Sequence, residues 1–242
     1  MHSSIAVAVL AFSLSSCGGG NTASNVDAPG AEETGKTKVL EAGAAVLQDR
    51  PPVDAINAYL DGFHFYNGQM KAQMEAHHYC AILNEDVIQC TIYDGNVKDA
   101  KLMGVEYIIS QKLFAGLPEH EKALWHSHVH EVKSGQLVAP GIPEVAEHAL
   151  MEKLIHTYGK TWHTWHTDLD KDLPRGMPQL MMGFTADGQA DPAMVAARDS
   201  RLGVDSGDKR ARRADIAAPA IDGGADAWQK GNTIQIKDPN GH

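Results

Sequence analysis

At 242 residues, with 43% hydrophobic and 21% charged side chains, the chain can bury the core of one sizeable soluble domain without help from metals or bridges. Its net charge of −10 excludes a surface built to neutralise nucleic-acid phosphate. The one basic cluster, DKRARRAD at Asp208–Asp215, is flanked by acids and reads as a solvated segment. No apolar run is long enough to cross a bilayer as a mature helix.

The first element is the ten-residue apolar run IAVAVLAFSL, Ile5–Leu14, which has the length of a signal-peptide core. The LSSC that ends at Cys17 resembles the lipobox of bacterial lipoproteins, although MHSS at the start lacks the usual Lys or Arg. Residues 1–17 are therefore expected to be a lipoprotein signal segment with Cys17 as the lipidation site. Residues 18–37, poor in large apolar side chains, are expected to form a flexible tether. This reading places the protein in the cell envelope, lipid-anchored to a bacterial membrane, with its domain outside the cytoplasm and the membrane as its partner.

A domain is expected over residues 38–205. Val39, Ala42, Val46 and Leu47 predict a helix stopped by Pro51 and Pro52, followed by a short helix with Val53, Ile56 and Leu60 on one face and Gly62 as its stop. HHYCAIL and VIQCTIYD flank Asn84-Glu85-Asp86 and predict a hairpin with a three-residue loop. LMGVEYIIS, Leu102–Ser110, predicts a strand. QKLFAGLPEHEKALW predicts helix broken at Pro118. HSHVHEVKSGQLVAP predicts a strand, a turn at Gly135 and a second strand. Val145–Gly159 predicts a helix with a glycine stop, and KTWHTWHTD and QLMMGFT two more strands. Residues 206–242, low in apolar side chains, are expected to be a loosely packed or disordered tail. The fold class expected is α+β: an antiparallel sheet with several flanking helices in a single domain.

Several strings resemble the oil body-associated protein family, also described as a domain of unknown function: VDAINAYLDGFHFY, EAHHYCAILNEDVIQCTIYD, LMGVEYIISQKLF, LWHSHVHEVKSG, YGKTWHTW and MPQLMMGFT. Together they run from about Lys38 to Val204. The resemblance implies a link to lipid droplets and a possible lipid-like ligand, and it brings no catalytic residues. Its motif histidines are His64, His77, His78, His126, His128 and His163; His130 and His166 depart from the family pattern.

In the predicted hairpin, paired positions sum to 170, so Cys80 faces Cys90 across the strands, within reach of a disulfide. One cysteine for lipid and two for each other accounts for all three. Buried free thiols, or a Cys₂His site with His78, are the alternatives. The chain carries 13 histidines, three of them in WHSHVHE. On a strand, His126 and His128 would share a face, as an HxH metal pair does, with Glu131 on the other. The expected constellation is His126, His128 and His163, with His64 or His77 added, suited to Zn or Fe. Half-buried structural histidines are the competing account. Nucleophile-elbow, HExxH, phosphate-loop and dinucleotide motifs are absent. Two functions follow: a membrane-anchored lipoprotein acting at a lipid surface as a binding or structural module, or a metal-dependent enzyme of the cell envelope using the histidine cluster.

Overall fold

The computed structural model of the chain describes residues 20–237, so the signal segment and Cys17 lie outside the described residues. Seven strands follow in chain order: β1 (Ala58–Tyr66), β2 (Gln69–Ile82), β3 (Val87–Tyr93), β4 (Leu102–Ser110), β5 (His126–Ser127), β6 (Thr157–His163) and β7 (Gln179–Met182). They hydrogen-bond in the order β4-β3-β2-β1-β7-β6, and β4 also pairs with β6, from Gly104↔His163 to Ser110↔Thr157. That last pairing closes six antiparallel strands into a barrel, on whose wall β5 adds to β6. The expected open sheet is thus a closed one. Closure joins residues 47 to 59 positions apart, from Ser110↔Thr157 to Gly104↔His163, which no local pattern encodes.

Eight α-helices surround the barrel among the described residues: α1 (Gly35–Leu47), α2 (Pro51–Asp54), α3 (Gln111–Ala115), α4 (Glu119–Lys122), α5 (Val129–Ser134), α6 (Glu144–Leu154), α7 (Pro192–Leu202) and α8 (Ser206–Arg212). The prolines end α1 and open α2 as expected. The second helix, however, stops at Asp54, and Leu60 and Gly62 belong to β1. There AYLDGFHFY is extended and buried on both faces from Leu60 on, and Asn67-Gly68, with Gly68 at φ 86°, turns the chain into β2. The β2–β3 hairpin keeps its predicted register: Cys80 pairs with Cys90, and the two are bridged.

Further expectations fail. After β5 the chain turns into α5 rather than continuing as a strand, and Gly135, in the left-handed region, caps that helix. Gly159 lies inside β6, because α6 ends at Leu154. Beyond residue 205 the chain is packed: Arg213 is buried, bonding Val132 O, Leu137 O and Glu147, and Ile216 joins the core. Low apolar content misleads there because buried ion pairs and backbone bonds hold the segment. The amino-terminal segment also docks in part, with Ser24 and Asn25 bonded to Asp94 and Val26 buried.

One core fills part of the barrel with Leu60, Cys80, Ile88, Cys90, Ile108 and residues of α5 and α6. A second lies outside the wall, where Phe63, Phe65, Leu180, Met182 and Phe184 meet α7 and Trp228.

Candidate metal centre

Alternation along a strand sends every second side chain inward. Even-numbered residues of β1, β2 and β4 face the interior, as do odd-numbered residues of β6. His64, His78, Glu106 and His163 therefore meet inside, all 4% exposed or less. His126 enters from β5. His128, the N-cap residue of α5, and Glu131, in the first turn of that helix, enter from beside it. The HSH pair converges through a strand-to-helix turn, which also brings Glu131 to the face it was expected to avoid.

Glu106 stands at the centre. Its Oε2 lies 2.9 Å from His78 Nε2, and its Oε1 lies 3.3 Å from both His126 Nε2 and His128 Nε2. His64 Nδ1 is 3.4 Å from His163 Nε2, and Glu131 Oε2 is 3.9 Å from His126 Nε2. Ligand atoms of His64, Glu106 and His126, and again of His126, His128 and Glu131, lie within 4.8 Å of one another. Two ligands about 2.1 Å from a tetrahedral ion are about 3.4 Å apart, so the spacing around Glu106 Oε1 is that of a coordination shell. A cavity of about 10 Å³ lies among these side chains.

The electrostatics are unusual. No Lys or Arg among the described residues pairs with Glu106 or Glu131; only histidines face them. Burial pulls His64 well below the usual imidazole range, lowers His128, and takes His163 down to about 3. Burial pushes Glu131 up to about 8. Burial also opposes charge on Glu106 and His126, but their mutual attraction, with His128 and His78 also facing Glu106, outweighs it, holding Glu106 low and His126 up at about 9. Both nitrogens of His126, Glu131 Oε2 and His163 Nδ1 are buried without a hydrogen-bond partner. Orphaned donors and acceptors of this kind cost free energy unless something meets them.

The backbone leaves room for this cluster. A Cβ at Gly159 would overlap Glu106 Oε1 and stand 2.8 Å from His126 Cε1; one at Gly183 would stand 2.9 Å from Glu131 Oε2. Two imidazoles are also oriented from behind. His78 Nδ1 lies 3.0 Å from Ala76 O, and His128 Nδ1 lies 2.7 Å from Thr157 Oγ1.

Four expected ligands, His64, His126, His128 and His163, therefore converge, and His77 does not. His77 faces the outer side of β2, between Asp61 Oδ2 at 3.0 Å and Glu75 Oε1 at 3.3 Å. That outer cluster has its own cations: Arg198 bonds Asp61 at 2.6 Å and Arg201 pairs with Glu75. His130 lines a surface cleft with Lys133 and Arg210, and His166 contacts Met177 O; neither joins the interior. The disulfide removes the Cys₂His alternative. Glu106 was missed; His78 was weighed only as a partner of the cysteines, and Glu131 was placed on the opposite face. Glu106 carried a signal, as the lone charge in the apolar strand LMGVEYIIS.

A family described as "Protein of unknown function (DUF1264)" matches residues 50–217. Oil body-associated protein 1B of Arabidopsis thaliana is 42% identical over 201 residues, covering 83% of each chain. Oil body-associated protein 1A of Zea mays is 43% identical over 216 residues, covering 88% of this chain and 91% of its own. Oil body-associated protein 2A of Zea mays is 42% identical over 215 residues, covering 86% and 85%. No solved structure matches significantly. These relatives are plant proteins named for oil bodies, not bacterial membrane lipoproteins, which overturns the expected placement in a bacterial cell envelope. No helix among the described residues is long and apolar enough to cross a membrane.

Proposed function

The chain belongs to the DUF1264 family, with the oil body-associated proteins among its relatives, and from that premise we propose that its barrel binds one divalent transition-metal ion, Zn(II) or Fe(II). Glu106, with His126 and His128 each 3.3 Å from its Oε1, holds the ion, and His64 and Glu131, each grouped with His126, complete its shell. One observation carries the reading: two buried carboxylates and two histidines converge with no Lys or Arg among them, and both nitrogens of His126 and Glu131 Oε2 have no hydrogen-bond partner. A dication neutralises two carboxylates, and neutral imidazoles with carboxylates suit Zn or Fe. The cavity of about 10 Å³ among these side chains accommodates an ion.

The test is calorimetric titration of chelator-treated protein with Zn(II). The expected result is one ion per chain for the wild type and at least a tenfold loss of affinity in Glu106→Gln and His126→Ala. A wild type that takes up no ion, or a Glu106→Gln that binds as well, would sink the reading.

A second observation supports action at a lipid surface. The relatives are named for oil bodies, and α1 has no buried residue, exposing Val39, Leu40, Val46 and Leu47 beside Lys36 and Lys38. Such a helix suits the plane of a lipid interface. The protein should float with phospholipid-coated oil droplets, and Val46→Asp/Leu47→Asp should stay behind; equal flotation of both would count against it.

A further inference from the structure

Resting on that metal-centre reading, we propose that Thr157 is the positioning residue that commits His128 to the Nδ1–H tautomer and so directs the bare Nε2 lone pair at the ion. Thr157 follows the end of α6, and its hydroxyl donates to Leu154 O at 2.7 Å. Leu154 is the last residue of α6, where carbonyls have no partner within the helix. A threonine hydroxyl has one proton, and here it is spent on that carbonyl. Toward His128 Nδ1, 2.7 Å away, Thr157 Oγ1 can therefore act only as an acceptor. A neutral ring then carries its proton on Nδ1, and Nε2, which lies within hydrogen-bond distance of Glu106 Oε1 at 3.3 Å, is left as a lone pair.

A lone pair aimed at a carboxylate is repulsive unless a cation lies between them, and an ion bound by both supplies it. The backbone adds a second grip on the same residue, with His128 N donating to Thr157 O at 3.4 Å. His78 also has its Nδ1 against an acceptor, Ala76 O at 3.0 Å. There the partner is backbone, so Thr157 is the position where substitution can reach this orientation. Partners that stand behind a ligating imidazole and fix its tautomer are typically worth about 10–100-fold in metal affinity.

The experiment pairs Zn(II) titration with nitrogen-15 NMR of the histidine rings in full-length protein. Thr157→Val replaces the hydroxyl with a methyl of similar size, and Thr157→Ser keeps the hydroxyl. The expected result is that metal-free wild type shows His128 as the Nδ1–H tautomer, Thr157→Val loses that preference and binds Zn(II) about 10–100-fold more weakly, and Thr157→Ser matches wild type. A Thr157→Val that binds as tightly as wild type overturns the proposal. So does an Nε2–H tautomer in wild type, which needs no variant to fold. Failure of the centre itself shows separately, as absence of Zn(II) uptake by wild type.

Discussion

Glu106 is buried in a strand that has no other charge, and only histidines stand against it, where a carboxylate left without them would cost several kcal/mol. Gly159, on the neighbouring strand, leaves the space its Oε1 occupies. Gly159→Ala is therefore expected to push the carboxylate and His126 aside, to cost about 1–3 kcal/mol of stability by overpacking, and to weaken Zn(II) binding. Urea unfolding and Zn(II) titration check this, and unchanged values in both would contradict it. At this scale the sequence supplied the identities of the histidines more readily than their directions. His77 and His78 are adjacent, so a one-residue uncertainty in strand phase decides which is inside, and the inner one is His78. His128 and Glu131 join the cluster through the turn from β5 into α5, which the alternation of HSHVH concealed.

The β2–β3 hairpin was readable as an element because its loop fixes its register. Its bridge closes a short loop, for which chain entropy gives about 2.5 kcal/mol. A Cys80→Ala/Cys90→Ala variant is expected to lose about that much in urea unfolding, and no loss would mean that its unfolded state is not constrained by the bridge. Between α4 and β6, Glu121 bonds Lys160 at 2.6 Å and accepts from Trp125 Nε1 at 3.1 Å. Its partial burial would raise its pKa, but these bonds outweigh that and lower it. A lowered carboxyl pKa stabilises the fold above the unfolded value, near pH 4.5, and that contribution fades as pH falls through the folded value. Glu121→Gln should thus be less stable than wild type at pH 7, with the gap closing below about pH 4. A gap independent of pH would contradict the ion-pair account. The segment after β5 was illegible as an element, since HVHEVKSG fits either period and tertiary packing against α6 and α8 selects helix.

For the whole molecule, the α+β class and the family were legible in the strings between Lys38 and Val204, whereas closure of the sheet was not. Closure depends on β4 meeting β6, and the carboxy-terminal segment then pins β5, which carries His126. Asp226 N donates to Trp125 O at 3.0 Å, and Asp226 Oδ1 accepts from Ser127 N at 3.2 Å, on either side of His126. Because strands, helices and this segment all converge on one centre, ion binding should stabilise the entire barrel. At a free ion concentration of 100 times Kd the gain is about 2.7 kcal/mol, so chelation should lower Tm and Zn(II) should restore it. A Tm indifferent to both would contradict this coupling. The most direct test of the central claim is a crystal structure of Zn(II)-loaded protein with anomalous data at the zinc edge. The account predicts one strong peak inside the barrel, about 2.0–2.2 Å from Glu106 Oε1, His126 Nε2 and His128 Nε2. Zinc found only on the surface, with the interior histidines and Glu106 contacting one another directly, would contradict it.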